Sequence, residues 1–523
     1  MSKHIDGIIR IINTVYSGPQ LTDDSFKHLK TVENVLASHG DDVKDGVANY
    51  YKNNAWPLDN ELSLILFLHK TLNFKDNGFF LSQKLDQLIP KMNSPEDFSE
   101  IFWNIARINF TRTSNSLGIP ELRGCFHDIS NRLKDFLKPS AILKTKKTKR
   151  IKRIAIISPQ ILGMRHSPTR EAFNIACHLE AHHACEVFIF NTNGMNYSNN
   201  FQIYDPMIAN HVSGFSGKKS IKIDYMEFVN KTINLISFPA ERMSTRKIAD
   251  ILQALSFLEV DAVISHGENL FIQDAIYQTV PSIFATTGGV VPFAHSDAYW
   301  VPGNLLTSTL KDTALKYGHA DFMEESMLVT PEGRADEVAD RSLFSLPDDA
   351  VIYLVVSTRM VDEIDSSFSG MCTKLLNSNR KAYILLAGVN DINLEPLFDK
   401  EMVRSQRIIN AGFQNDLPAI CLMSDIYLNP FRMGGGTSSQ TAILNGLPVV
   451  TMNYGHISAV VPVDHRLNSW DDYLSYAIRL GEDKSFMEEE QNLFMEHFCS
   501  VLQAKKQIEK IFNKLQVIAE AKY

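Results

Sequence analysis

The chain has 523 residues, of which 44% are hydrophobic and 21% charged, and its formal net charge is −8 at pH 7. This length allows about three ordinary domains, and the composition is that of a globular protein. The mild negative charge argues against a general nucleic-acid binder, which would normally present a basic face. The first residues lack the apolar core of a signal peptide, and no stretch approaches about 18 uninterrupted apolar residues. We therefore expect a cytoplasmic protein without a transmembrane segment.

The six cysteines are scattered and form no CxxC pair, which is typical of reduced cytosolic thiols. Two of them, Cys177 and Cys185, lie among His178, His182 and His183. The spacing of these five residues matches no standard zinc pattern. We interpret the cluster as a helix end that leads into a strand, and we expect no metal site.

Residues 1–143 show apolar residues at three- and four-residue spacing, as in Leu62, Ile65, Leu68 and Leu72. This periodicity predicts an all-α N-terminal domain. A basic run follows at 144–153, where seven of the ten residues are Lys or Arg. We interpret the run as a solvated linker, and a contact with an anionic membrane or an acidic partner is the alternative.

Short β-branched runs alternate with helical stretches after the linker. The first run is Arg153–Ser158, and the pattern restarts at Val351–Ser357 after a polar boundary near Pro347. Such alternation predicts doubly wound parallel sheets, one domain at 150–343 and a second at 346–523 that includes the C-terminal helices. Ligands of open α/β sheets bind outside the carboxyl ends of strands, so the site is expected in the cleft between the domains.

The most informative segment runs from Leu428 to Thr451. A strand ends at Leu428, and the glycines at 434–436 allow the backbone to approach a ligand closely. Thr437 and Ser438 can cap the helix that follows, whose free N–H groups and positive dipole end suit a phosphate. An ordinary glycine-rich turn is the alternative. The glycines, the two hydroxyls and the A-x-x-x-G-x-P-V-V continuation together favour the phosphate site.

This segment resembles the donor site of GT-B glycosyltransferases, above all the O-GlcNAc transferase family and the bacterial high-molecular-weight adhesin glucosyltransferases. Gly436, Thr437 and Ser438 match the diphosphate-binding turn, and Gly446 to Thr451 match the start of the next strand. The resemblance implies a GT-B fold: two Rossmann-like domains that face a cleft, here preceded by the all-α domain. It also implies that Gly435 to Ser438 bind the donor phosphates.

The retaining GT-B enzymes carry two glutamates separated by seven residues. Alignment on Gly446 to Val450 puts Met433 and Thr441 at those two positions. The sequence therefore favours an inverting reaction over a retaining one.

A second segment, Ala285–Pro302, resembles the G-x-P-x-x-x-H-S stretch of the adhesin glucosyltransferases, with His295 and Ser296 at the matching positions. His295 and Asp297 are therefore candidate catalytic residues at an expected strand end, as are His266 and Glu268.

The loop after the first strand adds His166, whose ordinary pKa near working pH suits a general base. Arg165 or Arg170 in that segment could bind an anionic group, and a solvated loop histidine is the alternative for His166.

Arg359 follows the strand that opens the second α/β domain, where GT-B enzymes often place a basic residue near the donor phosphates. An arginine fork suits a diphosphate without a metal, and a surface arginine is the alternative. Phe413 and Gln414 lie one βα unit before the donor segment. In similar enzymes this stretch packs by the nucleotide base, so they are candidates to contact uracil, and a plain strand-to-loop transition is the alternative.

The resemblance thus implies an enzyme that moves a hexose or N-acetylhexosamine from a UDP-sugar, its co-substrate, to a protein or glycan acceptor. It would need no metal and no cofactor. The N-terminal domain would hold the acceptor or a partner such as another glycosyltransferase subunit. Two alternatives stay open: a non-hydrolysing sugar-nucleotide epimerase, and a catalytically silent glycosyltransferase-like partner protein.

Overall fold

The computed structural model describes most of the chain from residue 148 onward and part of the N-terminal region. The described residues are 3–17, 22–39, 41–54, 63–64, 67–68, 71–72, 87, 94–96, 98–99, 103, 131, 148–163, 166–194, 222–228, 231–241, 243–267, 270–287, 294–302, 306, 308–324, 333–501 and 503–523. Arg165 and Glu268, two of the candidates from the sequence, lie outside these ranges, as do residues 144–147 at the start of the basic run.

The N-terminal region contains three described helices. They are α1 (Lys3–Tyr16), α2 (Asp23–Ser38) and α3 (Asp41–Asn53). The buried face of α1 repeats at three- and four-residue spacing through Ile8, Ile12 and Tyr16, as an amphipathic helix requires. These helices share one hydrophobic cluster with a face of the first sheet. The prediction of helices is met in this described part, and residues 55–143 are almost wholly outside it.

The first α/β domain is built on an eight-stranded sheet of order β3-β4-β2-β1-β5-β6-β7-β8. Its strands are β1 (Arg153–Ser158), β2 (Glu186–Asn191), β3 (Lys222–Phe228), β4 (Lys231–Ser237), β5 (Ala262–His266), β6 (Ser282–Ala285), β7 (Ala298–Val301) and β8 (Phe322–Glu324). Seven strands are parallel, and β3 is antiparallel to β4 at one edge. Buried, mostly apolar runs form the strands β1, β2, β5, β6 and β7, because helices cover both faces of this part of the sheet.

The helices of this domain are α4 (Ser167–His183), α5 (Thr245–Phe257), α6 (Leu270–Ile276) and α7 (Ser308–Lys316). The long helix α4 packs beneath β1, β2 and β4. It begins at the carboxyl end of β1, so its N-terminus faces the edge of the sheet where a ligand would bind.

The second α/β domain has a six-stranded parallel sheet of order β11-β10-β9-β12-β13-β14. Its strands are β9 (Val351–Val356), β10 (Ala382–Ala387), β11 (Ile408–Gly412), β12 (Ile426–Leu428), β13 (Val449–Met452) and β14 (Arg466–Leu467). Its helices are α8 (Met360–Glu363), α9 (Ser366–Ser378), α10 (Lys400–Arg404), α11 (Leu417–Met423), α12 (Gly436–Leu444), α13 (Gly455–Ser458), α14 (Trp470–Glu482) and α15 (Lys484–Val501). Two doubly wound sheets confirm the predicted fold class.

The last helix, α16 (Ala504–Lys522), crosses back to the first domain. Its buried residues Ile508, Ile511 and Leu515 belong to the cluster under β1, β2 and α4. At its end, Lys522 Nζ lies 2.7 Å from Asp297 Oδ2. The sequence boundaries placed this helix with the second domain. In the structure it packs on the first, because its apolar stripe complements the outer face of that sheet.

A buried lysine organises the carboxyl edge of β2 and β4. Lys247 is 1% exposed, and its Nζ donates to the carbonyls of Asn193 (3.0 Å), Pro239 (2.8 Å) and Glu241 (2.8 Å). Three carbonyls use the full donor capacity of an ammonium group, so one side chain ties two loops of the cleft edge together.

Replacing Lys247 with methionine would remove the ammonium donor from all three carbonyls, of which only the Pro239 carbonyl has a second donor among the described contacts, the Glu241 N–H at 3.0 Å. We expect Lys247→Met to lower the free energy of unfolding by about 2 kcal/mol, since hydrogen bonds to charged groups contribute this much and buried acceptors left unpaired cost as much. Denaturant melts measure the change. Arg246→Met, an exposed neighbour on α5, is the control. Equal stabilities for the two variants would contradict the prediction.

No helix within the described ranges has the length and apolar character needed to cross a bilayer.

Candidate functional site

The glycine-rich turn connects β12 to α12. Gly435 is the N-cap of α12 with φ +93°, in the left-handed region that favours glycine, and no N-cap side chain bonds to the first-turn amides. The helix begins at Gly436, so Thr437 and Ser438 lie within its first turn. The expectation that these hydroxyls cap the helix is therefore wrong. Instead, Ser438 Oγ donates to the Gly435 carbonyl at 3.0 Å.

A buried arginine lies directly beneath this turn. The Arg432 side chain is 2% exposed, and its guanidinium donates to Asn429 Oδ1 (2.7 Å), Tyr427 OH (3.1 Å) and Glu363 Oε2 (2.7 Å). Tyr427 OH in turn lies 2.7 Å from Ser438 Oγ. The guanidinium is so close that a Cβ on Gly435 would stand 2.5 Å from Arg432 Nη2. The turn therefore takes its shape from a fixed cation beneath it.

Glu363 joins this arginine to a second one. Arg359 Nη2 lies 2.7 Å from Glu363 Oε1, while Arg432 occupies Oε2. Burial alone would raise the pKa of Glu363, but the charges of Arg432 and Arg359, with a hydrogen bond from Ser357, outweigh it and lower the pKa. The Arg359 side chain is 35% exposed, so it reaches the surface where Arg432 does not. Two arginines share one carboxylate, which leaves the edge of the sheet with a net positive charge.

The first domain meets this turn through the N-terminus of α4. Ser167 Oγ and Thr437 Oγ1 are in hydrogen-bond contact across the cleft. His166, the N-cap of α4, has its Nδ1 2.9 Å from Thr169 Oγ1. Burial, with the neighbouring His266 and Arg170, lowers the pKa of His166 to about 4. The predicted residues His166 and Thr437 thus lie at one place, where two helix N-termini meet.

Three further side chains line this meeting point. Glu171 and His266 form a buried pair in the first domain, with Oε2 and Nε2 3.0 Å apart. His456 comes from α13 of the second domain, and its Cβ would lie 3.1 Å from a Cβ on Gly436. Burial lowers the pKa of His456 to about 4, with Glu171 opposing the shift and Arg359 adding to it. Glu171 therefore acts electrostatically on a residue of the second domain across the cleft.

The structure does not bring His295 and Asp297 to this place. Both precede β7, at the amino edge of the first sheet, because a parallel strand must begin at the edge opposite to the one where β6 ended. His295 Nδ1 lies 2.9 Å from the buried Asp274 Oδ1. Asp297 accepts from the Ser282 backbone N–H at 2.8 Å and holds Lys522. In these contacts Asp297 anchors α16, and the expectation that it lies at the cleft is wrong.

Phe413 and Gln414 follow β11, the edge strand of the second sheet. The Phe413 side chain is 45% exposed, and its backbone N–H donates to Asn390 Oδ1 at 2.8 Å. Gln414 Nε2 donates to the Ala411 carbonyl. Two strand spacings, roughly 10 Å, separate β11 from β9, where Arg359 stands. Phe413 and Gln414 therefore lie at the same carboxyl edge of the sheet as Arg359.

The sequence motifs do not mark Arg432, Glu363, Glu171, Ser167 or His456 as site residues. One local signal existed, since Arg359 and Glu363 are four residues apart, the spacing of a helical ion pair. Arg432 also stands within the quoted donor segment. Nothing in the sequence, however, joins position 363 to position 432, because that contact exists only in the folded sheet.

The sequence matches no protein-family model and no curated protein sequence. Among solved structures, a point mutant of the Thermobaculum terrenum O-GlcNAc transferase aligns over 100% of both chains with a TM-score of 0.55 and 12% identity. S. aureus TarM, in a complex with fondaparinux, alpha-GlcNAc-glycerol and UDP, covers 70% of this chain and 100% of its own (TM-score 0.44, 10% identity). The pneumococcal O-GlcNAc transferase GtfA with UDP and GlcNAc covers 71% and 99% (0.43, 11%). The match to the O-GlcNAc transferase, at a TM-score of 0.55 over the whole chain, shows that the fold of this chain is that of the GT-B glycosyltransferases.

Proposed function

We propose that the protein is a glycosyltransferase that moves a hexose or N-acetylhexosamine from a UDP-sugar to an acceptor. The observation that carries the proposal is the α12 N-terminus. It has no N-cap side chain on its amides, Arg432 lies beneath it, and the network through Glu363 brings Arg359 to the same edge. Backbone N–H groups, a helix dipole and arginine forks are the groups that bind a diphosphate.

The donor would lie along the carboxyl edge of the second sheet. Its diphosphate would contact Gly436, Thr437, Ser438 and Arg359, and its uracil would lie near Phe413 and Gln414. These protein groups would stabilise the negative charge of the leaving diphosphate without a metal or a cofactor. A group from the first domain would take the acceptor proton in an inverting displacement. A protein is our choice of acceptor class, bound with help from the N-terminal helices.

UDP release from a panel of sugar nucleotides tests the proposal. We expect Thr437→Ala and Arg359→Ala each to lower kcat/KM by roughly 10- to 100-fold, because each removes a hydrogen bond to a charged leaving group. Arg404→Ala is the matched control, since Arg404 is 69% exposed and pairs only with Glu395 among the contacts that the structure describes.

The outcomes separate the proposal from its rivals. Turnover to a new sugar nucleotide without an acceptor would identify an epimerase instead. Binding of UDP without turnover of any donor would favour a catalytically silent partner protein. If the Arg359→Ala and Arg404→Ala variants were equally active, Arg359 would not be a donor-binding residue.

A further inference from the structure

Glu171 and His266 form a buried pair beside the meeting point of the two helix N-termini. Glu171 lies in the second turn of α4, and His266 is the last residue of β5. Their side chains are 5% and 1% exposed, with Nε2 and Oε2 3.0 Å apart. A buried carboxylate and imidazole carry a desolvation cost, which makes the pair a candidate for chemistry rather than packing alone.

The second ring nitrogen of His266 makes the pair informative. Nδ1 is buried and has no hydrogen-bond partner within the described part of the chain. A carboxylate only accepts hydrogen bonds, so Nε2 carries the proton when the ring is neutral. The lone pair then lies on Nδ1. This is the arrangement in which an acid holds an imidazole in the tautomer that can accept a proton.

The pair also lies on the correct wall of the cleft. The strand β5 neighbours β1 in parallel, and the helix that follows β1 contacts the second domain through Ser167 and Thr437. Glu171 acts electrostatically on His456, which packs against Gly436 of the donor turn. The other histidines fit less well. Burial lowers the pKa of His166 to about 4, which makes it a weak base, and His295 lies at the opposite edge.

We propose that His266 Nδ1 takes the proton of the acceptor and that Glu171 is its positioning residue, an inference that rests on the proposed glycosyltransferase function. The acceptor oxygen forms a bond to the anomeric carbon while its proton moves to Nδ1. The bond from that carbon to the diphosphate oxygen breaks, and its electron pair leaves with UDP. The Glu171 carboxylate stabilises the resulting imidazolium. Because Ser167 and Thr437 touch across the cleft, the proposal requires the two domains to separate for the acceptor to enter.

The test uses the full chain with UDP-GlcNAc and UDP-glucose as probes and water as the acceptor, whose proton must also be removed. UDP release gives kcat, and calorimetry gives the Kd of UDP. We expect His266→Gln to lower kcat by about 10²- to 10⁴-fold while the Kd of UDP changes less than threefold. The control is His182→Gln, which replaces an exposed histidine in the last turn of α4.

The Glu171→Gln variant provides a readout that a structural role would not move. Without the carboxylate the imidazole is less basic, so the acid limb of the pH profile of kcat/KM should move to lower pH. The other groups that face the pair are His166 and Arg170 from α4, and His456 and Arg359 from the second domain. Because the charge of Glu171 also raises the pKa of His456, the profile is measured again in a His456→Gln background. A shift that persists in that background is assigned to His266, and its loss there would assign the shift to His456.

Three results overturn all or part of the inference, and they can be distinguished from one another. If the wild type turns over a donor and His266→Gln keeps kcat within threefold, His266 is not the proton acceptor although the proposed function stands. If the pH profile of Glu171→Gln matches that of the wild type, Glu171 is not the positioning residue, although the proposed function again stands. If the wild type releases no UDP from either probe or from any other donor, the proposed function fails and this inference falls with it.

Discussion

Removing Glu363 should destabilise the protein more than any other single change considered for the second domain. We expect Glu363→Ala to lower the free energy of unfolding by about 3–5 kcal/mol, because it leaves the buried guanidinium of Arg432 without its counter-charge. In a domain of this size that corresponds to a melting temperature lower by on the order of 10 °C, measured by calorimetry.

The Asp349→Ala variant is the matched control. Asp349 also pairs with a cation, Lys381, but both side chains are more than half exposed, so water replaces the lost contact. The double variant Glu363→Met/Arg432→Met should be more stable than Glu363→Ala, since it removes both buried charges together. If Glu363→Ala lowered the free energy of unfolding no more than Asp349→Ala does, the Glu363 carboxylate would not be what stabilises the buried Arg432.

The ion pairs of Glu363 with Arg432 and Arg359 also make the stability of the protein depend on pH in a defined direction. The two arginines hold the pKa of Glu363 below the usual value for a glutamate, about 4.3. The native state therefore binds fewer protons than the unfolded chain over the interval between the two pKa values. The contribution of Glu363 is complete above the unfolded pKa and is lost as the pH falls through the lower folded pKa. The stability difference between wild type and Glu363→Ala should accordingly shrink in acid.

The second large effect is expected at the glycine turn. Gly435→Ala places a methyl group 2.5 Å from Arg432 Nη2 and 2.8 Å from its Cζ, at a backbone φ of +93° that alanine rarely adopts. Arg432 cannot move aside, because three partners hold its guanidinium. The turn must shift instead, and a displacement of about 1 Å at a reacting group costs roughly 100-fold in rate. We expect a loss of this order in kcat/KM for the UDP-sugar.

Gly370→Ala is the control for this variant. Gly370 lies in the middle of α9, is exposed, and has no atom within 4 Å of a new Cβ. Alanine there should leave turnover unchanged and raise stability slightly, since it restricts the unfolded chain. If Gly435→Ala retained the wild-type Kd for UDP and the wild-type turnover, the fixed geometry of the turn would have no part in donor binding.

Local chemistry explains what the sequence could predict. Neighbours a few residues apart determine the strand-forming runs, the helical periodicity and the glycine turn. The two doubly wound domains and a helix N-terminus after residue 435 could therefore be predicted from the sequence. Thr437 and Arg359 were found by the same reasoning, because the residue after a parallel strand lies at the ligand-binding edge of its sheet. Their roles in donor binding stay predictions.

The remaining features depend on contacts between distant parts of the chain. The sequence places Arg432 in the donor segment, but only the packed sheet brings it to Glu363, 69 residues away, and buries both. Strand direction cannot be seen in a linear motif. It places His295 and Asp297 at the amino edge of the first sheet and places Glu171 and His266 at the carboxyl edge, beside the cleft. The packing of α16 on the first domain was likewise decided by complementary apolar surfaces. The sequence by itself determined the elements and the donor turn, while the tertiary structure decided which charges meet, because burial and strand direction are properties of the whole fold.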